Sequence, residues 1–197
     1  MSDNTDSLKK LLLLIQQFTP FMLIWYFILY SIFNNTLSGI TMVFGMIFTS
    51  FFTMFIGNSI FSQPDIKNSM LSCNFISIKN ITGISSIPFS QSIYGFTFAY
   101  LLYTILSYNQ LFTNIFPLIC FLTLIISDIV WLTTNRCFPP INIIFATGFS
   151  IILGILWGYT IRLSPNQSMQ YTVGMPDNIC VLPKTRTYKC NSKPKSE

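Results

Sequence analysis

"LLLLIQQFTPFMLIWYFILYSIFNNTLSGITMVFGMIFTSFFTMFIGNSI", residues 11–60, holds two apolar runs parted only by Asn34-Asn35-Thr36. Each run is as long as the roughly 20 residues an α-helix needs to cross the hydrocarbon of a bilayer. A connection this short joins two helices only as an antiparallel hairpin. The first run follows Lys9-Lys10 and contains Pro20. It is too long for a secretory signal, has no small-residue cleavage site, and leads at once into a second apolar run. It therefore reads as a retained anchor.

Working outward, three more apolar segments follow at 89–107, 111–132 and 141–161, and the second of these contains Pro117. The short step from 107 to 111 forms a second hairpin. The expected fold is an all-α membrane protein, a bundle of about five transmembrane helices spanning 11–33, 37–60, 89–107, 111–132 and 141–161. These make a domain at 1–161. The 61–88 connection reads as a polar surface loop, and 162–197 as an irregular, basic, Cys-containing tail outside the membrane. Composition agrees: 51% of the 197 residues are hydrophobic and 9% charged, against about 25% charged in soluble domains. So few charges cannot clothe a water-facing surface.

The charges that exist are unevenly placed. Lys9, Lys10, Lys67, Lys79 and Arg136 fall on one side of a five-span topology, with only Arg162 close to the membrane on the other. Short-loop basic residues mark the cytosolic side, which puts the N-terminus inside and the tail outside. Five further basic residues in the tail suit lipid headgroups or an acidic protein partner, and no folded reader of nucleic acid is evident. Cys180 and Cys190 bracket nine tail residues and are spaced for a possible disulfide in an oxidising compartment. Cys120 lies in an apolar run, and Cys73 and Cys137 lie in polar connections. The chain has no histidine and no Cys-x-x-Cys, so neither a metal nor a cofactor is expected.

Three features could carry function. Asp128 is the one acidic residue inside an expected span. An intramembrane carboxylate suggests a proton or ion site, and its structural reading is a pair with Arg136. Ala146, Ser150, Gly154 and Gly158 recur every fourth residue and give the last helix a small-residue face. Such a face suits close helix packing, either with another copy of the chain or within the bundle. Pro88-Phe89-Ser90-Gln91 opens the third span, where Ser90 and Gln91 could satisfy free backbone amides at the helix start.

That tetrapeptide also carries a resemblance. Pro88-Phe89-Ser90-Gln91, then Asn135-Arg136, five residues, Asn142, three residues and Ala146, resemble the layout of type-2 phosphatidic acid phosphatases. That family uses Pro-Ser-Gly-His in the first of these places and Ser-Arg-x5-His-x3-Asp in the second. The resemblance implies a helical membrane enzyme with two catalytic histidines. Here Gln91 and Asn142 stand at the histidine positions and Ala146 at the aspartate position. No Arg-Pro exists for the remaining motif. Glutamine and asparagine neither accept a phosphoryl group nor shuttle protons near neutral pH, so the layout implies a degenerate, catalytically dead scaffold in which Arg136 alone persists.

A second resemblance covers about 73–190. "SDIVWLTTNRC", "GILWGYTI" and "DNICVLPKTRTYKC" look like uncharacterised multi-pass membrane proteins of nucleocytoplasmic large DNA viruses. The matching positions are Asp128, Arg136, Cys137, Gly148, Gly154, Gly158, Cys180, Pro183, Lys184, Tyr188 and Cys190. This resemblance implies a viral structural protein, a minor capsid or membrane component of the virion inner membrane, derived from a host endomembrane and in contact with capsid or other viral membrane proteins. The expectation is therefore a non-enzymatic structural membrane protein. The alternatives are a lipid-phosphate-binding protein and a small channel or transporter built on Asp128.

Overall fold

The structure, a computed structural model, describes residues 2–61, 86–164, 169 and 171, with side chains from residue 18 onward. The described residues form five helices: α1 (Ser2–Phe33), α2 (Ser38–Ile60), α3 (Phe89–Ser107), α4 (Ile115–Thr134) and α5 (Pro140–Leu163). Among the described residues there is no strand. Three helices, α2, α4 and α5, are long and apolar enough to cross a membrane. The 19-residue α3 is more polar, carrying serine, glutamine, threonine and tyrosine side chains. It can hold them because it is the central helix, packed on by α1, α2, α4 and α5.

The bundle is apolar outside and mixes apolar with polar side chains inside. Thr49, Ser50, Thr53, Ser92, Thr97 and Ser150 are buried beside Phe27, Met46 and Phe96, while Phe44, Phe51, Phe55, Ile119, Ile126 and Ile144 are exposed. Water would not select so apolar an exterior. An apolar solvent gives helices no hydrophobic reason to associate, so close packing and internal hydrogen bonds must hold them. Three of these buried hydroxyls are satisfied locally: Ser50, Thr97 and Ser150 donate to the carbonyls of Met46, Ile93 and Ala146, four residues back, whereas those of Thr53 and Ser92 find no acceptor among the described residues. These observations establish a helical, membrane-associated protein.

The tightest seam joins α3 and α5. Ala146, Ser150, Gly154 and Gly158 are all buried in it. A Cβ on Gly154 would lie 2.6 Å from the Phe96 carbonyl oxygen, and one on Gly158 would lie 2.7 Å from the Tyr103 ring. Gly95 answers from α3, where a Cβ would sit 3.1 Å from the Thr147 carbonyl oxygen. Of the two readings of this face, packing within the bundle is the one these contacts show. The small residues are used up inside the chain, where they let two backbones touch.

α1 begins at Ser2, nine residues before the expected start at 11, and two other helix starts differ from the sequence expectation for local reasons. α4 starts at Ile115 rather than 111. This start places Pro117 in the first turn, where its missing N–H breaks no helical bond. α5 starts at Pro140, a first-turn position whose fixed φ suits a helix start.

The three short connections share one cap. After α1, Asn35 N–H bonds Ile32 O and Thr36 N–H bonds Ser31 O; after α3, Asn109 bonds Leu106 and Gln110 bonds Ile105; after α4, Arg136 bonds Thr133 and Cys137 bonds Leu132. This is the Schellman pattern, which needs one left-handed residue just past the helix. Asn35, Asn109 and Arg136 occupy it, with φ of 52°, 53° and 51°. Asparagine tolerates that region, whereas arginine is penalised there by its Cβ. Arg136→Asn is expected to raise stability by about 0.5–1 kcal/mol, measured as thermal unfolding of the purified chain in detergent.

Beyond α5 the chain turns back. Tyr171 is buried between α1 and α3, edge-on to Phe27 at 4.9 Å and to Tyr30 at 4.8 Å between ring centroids. Its backbone N–H donates to the Tyr100 hydroxyl at 3.0 Å, and that hydroxyl donates to the Tyr171 carbonyl at 3.4 Å. Burial, more than its contact with Tyr26, pushes the Tyr171 phenol above the usual tyrosine range, so it stays neutral in its slot. The expectation of an irregular tail missed this tie.

Candidate functional site: a buried polar network at one end of the bundle

The residues that the sequence singled out for chemistry come together at the end where α2 and α4 finish and α3 and α5 begin. Pro88 ends the preceding connection in extended conformation, and α3 starts at Phe89. Ser90 and Gln91 thus fall in its first turn. They were expected to cap the helix, but α3 has no side-chain cap bond. Both reach sideways instead. Ser90 Oγ donates to Asp128 Oδ2 at 2.6 Å, and Gln91 Nε2 donates to the same oxygen at 2.8 Å. Gln91 Nε2 also approaches the Ile125 carbonyl oxygen at 3.3 Å, one turn earlier on α4. On the other side, Thr147 Oγ1 of α5 lies 2.9 Å from Gln91 Oε1 and can donate to it.

Asp128 is 2% exposed and Gln91 fully buried. Both contacts bring protons to Asp128 Oδ2, as an acceptor-only carboxylate requires. The carboxylate also lies at the first turn of α3, the positive end of that helix dipole, which favours negative charge. The expected pair with Arg136 is not what the fold provides. Asp128 turns inward to α3, while Arg136 is exposed in the α4–α5 turn. Eight residues separate them, but the helix ends and reverses in between.

A second limb ties α5 to α2. Asn142 Nδ2, in the first turn of α5, donates to the Ser86 carbonyl at 2.8 Å. Ser86 in turn donates both its backbone N–H and its hydroxyl to Asn58 Oδ1 of α2, at 2.9 and 2.8 Å. Asn142 and Gln91 are the two positions that the phosphatase-like layout aligned with histidines. The structure places them at the same end of the bundle, each bridging helices. Ala146 is fully buried one turn beyond Asn142. Ser86, Asn58 and Thr147 were missed. Their signal was faint: Ser86 and Asn58 are small polar residues within a turn of an apolar segment's end, and Thr147 is one hydroxyl inside an apolar segment.

Among the described residues no cluster of potential ligands could hold a metal ion. Cys120 is free, and Cys137 is disulfide-bonded. Cys180 and Cys190 lie outside the described residues, as do Cys73, Pro183, Lys184 and Tyr188. The Cys137 bond requires oxidising surroundings at the α4–α5 turn, whereas the lysine and arginine count puts that turn in the cytosol. These two orientations oppose each other. Cys137→Ser is expected to release its partner, raising the alkylatable thiols of the unreduced, denatured chain by one. A count lower by one in intact-mass spectrometry, as loss of a free Cys137 thiol would give, would remove the bond and restore the charge-based orientation.

Fold and site together define a class: an all-helical, membrane-associated protein whose interior is tied by hydrogen bonds between helices. Comparison of the chain with protein-family models, curated proteins and solved structures found no match.

Proposed function

We propose that this chain is a five-span, non-enzymatic structural membrane protein, a minor component of the inner membrane of a large DNA virus particle. In this reading it joins that bilayer to the capsid through the 61–88 connection and the basic tail. The observation that supports a structural role is the way the polar groups are used. Asp128, Gln91, Asn142 and Thr147 bond across α3, α4 and α5. The side chains that a membrane enzyme or ion pathway would aim at a substrate here hold helices together. Glutamine and asparagine at the histidine positions of the phosphatase-like layout support the same reading, because an amide can bridge helices but cannot carry a phosphoryl group. The count of five spans rests on α1 and α3 crossing beside the three strongly apolar helices. The viral setting rests on the sequence resemblance alone.

Mass spectrometry of purified, detergent-washed virions of the source virus tests the proposal. The chain is expected in the membrane-plus-capsid fraction at a fixed ratio to the capsid proteins. Its absence from the particle would overturn the viral role.

A further inference from the structure

We propose that the groove between α4 and α5 is a binding site for one membrane phospholipid with an anionic headgroup. This goes beyond the structural role and does not depend on the viral setting, since the groove is a property of the chain in any bilayer.

α4 rests on α3 and meets its sequence neighbour α5 chiefly near their turn, where Leu132 and Ile143 share a small buried cluster. Between them lies a space of about 390 Å³, within the range of about 300–1,000 Å³ that small-molecule pockets occupy. Its walls are almost wholly apolar: Ile129 from α4, and Ile143, Ile144, Gly148 and Ile151 from α5. The outer rim is accessible, with Ile144 67% exposed. Gly148 is the telling residue. The buried Gly154 and Gly158 on this helix are pressed against α3, but a Cβ on Gly148 would meet nothing within 4 Å. Its missing side chain leaves room in the groove instead of permitting helix contact.

The dimensions suit one leaflet. The α5 wall runs from Pro140 to Ile151, about 16 Å at about 1.5 Å per residue. That is close to half of the roughly 30 Å hydrocarbon core. An acyl chain lying in the groove would therefore start at the headgroup level and end near the midplane.

The headgroup end is cationic. Thr133 and Pro140 line the groove where α4 and α5 meet, and the turn joining them contains Arg136. That arginine is exposed and, among the described residues, makes no ion pair. It holds the left-handed position that the two sister turns give to asparagine. A strained residue kept where a better one is available points to a use for its side chain. The positive end of the α5 dipole begins at the same place. A guanidinium recognises phosphate by paired hydrogen bonds and charge, so the occupant is a phospholipid, and its net negative charge decides the preference.

The test uses the full chain reconstituted in nanodiscs of equal phosphatidylcholine and phosphatidylglycerol, released into mild detergent and weighed by native mass spectrometry. One retained phospholipid per chain is expected, with phosphatidylglycerol favoured about fivefold, the ratio expected for one interfacial cation. Arg136→Asn should erase the preference while raising thermal stability, and Arg136→Lys should keep the preference. Gly148→Phe should abolish retention, and its fold is checked by unchanged thermal unfolding, with Gly148→Ala as the variant that keeps the lipid. A chain that retains no lipid overturns the site. So does retention that neither Gly148→Phe nor Arg136→Asn alters. A dimer that Gly148→Phe dissociates would also overturn it, by assigning the groove to a second copy.

Discussion

Gly154→Leu is expected to lower the stability of the bundle by about 3 kcal/mol or more, or to stop α5 docking altogether. Overpacking a well-filled core costs about 1–3 kcal/mol when side chains can shift. Here the first added atom would lie 2.6 Å from the backbone oxygen of Phe96 and 3.0 Å from the Ala99 Cβ. A backbone carbonyl cannot rotate away, so the helices must part. That would loosen the most extensive seam of the protein, the one that also positions Thr147 against Gln91. Gly148→Leu is the control. It stands on the same helix with open space around it and is expected to change stability by no more than about 0.5 kcal/mol. Unfolding in mixed detergent, followed by loss of helical signal, distinguishes the two. Equal effects would mean that α3 and α5 do not approach as described.

Asp128→Ala is expected to cost about 2–4 kcal/mol. Two hydrogen bonds between membrane helices are worth only about 0.6 kcal/mol each on average, so their loss alone gives about 1 kcal/mol. The larger share comes from fully buried Gln91, left with only its longer contact to the Ile125 carbonyl, and from half-buried Ser90, left without an acceptor, at about 1–3 kcal/mol for an orphaned polar group. α4 should suffer most, because it rests chiefly on α3 and Asp128 is its polar tie to that helix. Asp128→Asn keeps an oxygen that can accept both donors and is expected to cost about 1 kcal/mol or less. An ion or proton pathway would give the opposite order of concern, with Asp128→Asn abolishing flux at full stability. Flux measured in proteoliposomes beside the unfolding curves separates the two roles.

Much of the helix plan was legible in the sequence. Segments 37–60 and 89–107 match α2 and α3 to within a residue, because apolar runs end where polar or helix-breaking residues begin, and such signals are local. The 111–132 segment was set four residues early. Apolar Leu111 and Phe112 continued the run, whereas the start of α4 follows from Pro117, which is tolerated only in a first turn. The small-residue face of α5 was legible as a face, but which partner it met was not. Close packing of a glycine seam looks the same in sequence whether the other helix belongs to this chain or to another.

The sequence by itself determined that the chain is helical and suited to a membrane, that it lacks the histidines of the phosphatase-like layout, and that Asp128, Gln91 and Asn142 are unusual in their setting. Composition and periodicity decide such matters because burial in lipid acts on each residue almost independently. Only the tertiary structure decided what those residues do. Asp128 faces Ser90 and Gln91 instead of Arg136, Asn142 reaches Asn58 through Ser86, and Tyr171 closes over α1 and α3. Arg136 is left at the mouth of a groove. These are relations between groups 28 to 145 residues apart. They depend on how helices are rotated and spaced, and a hydrogen bond 2.8 Å long is set by that geometry and not by the order of residues along the chain.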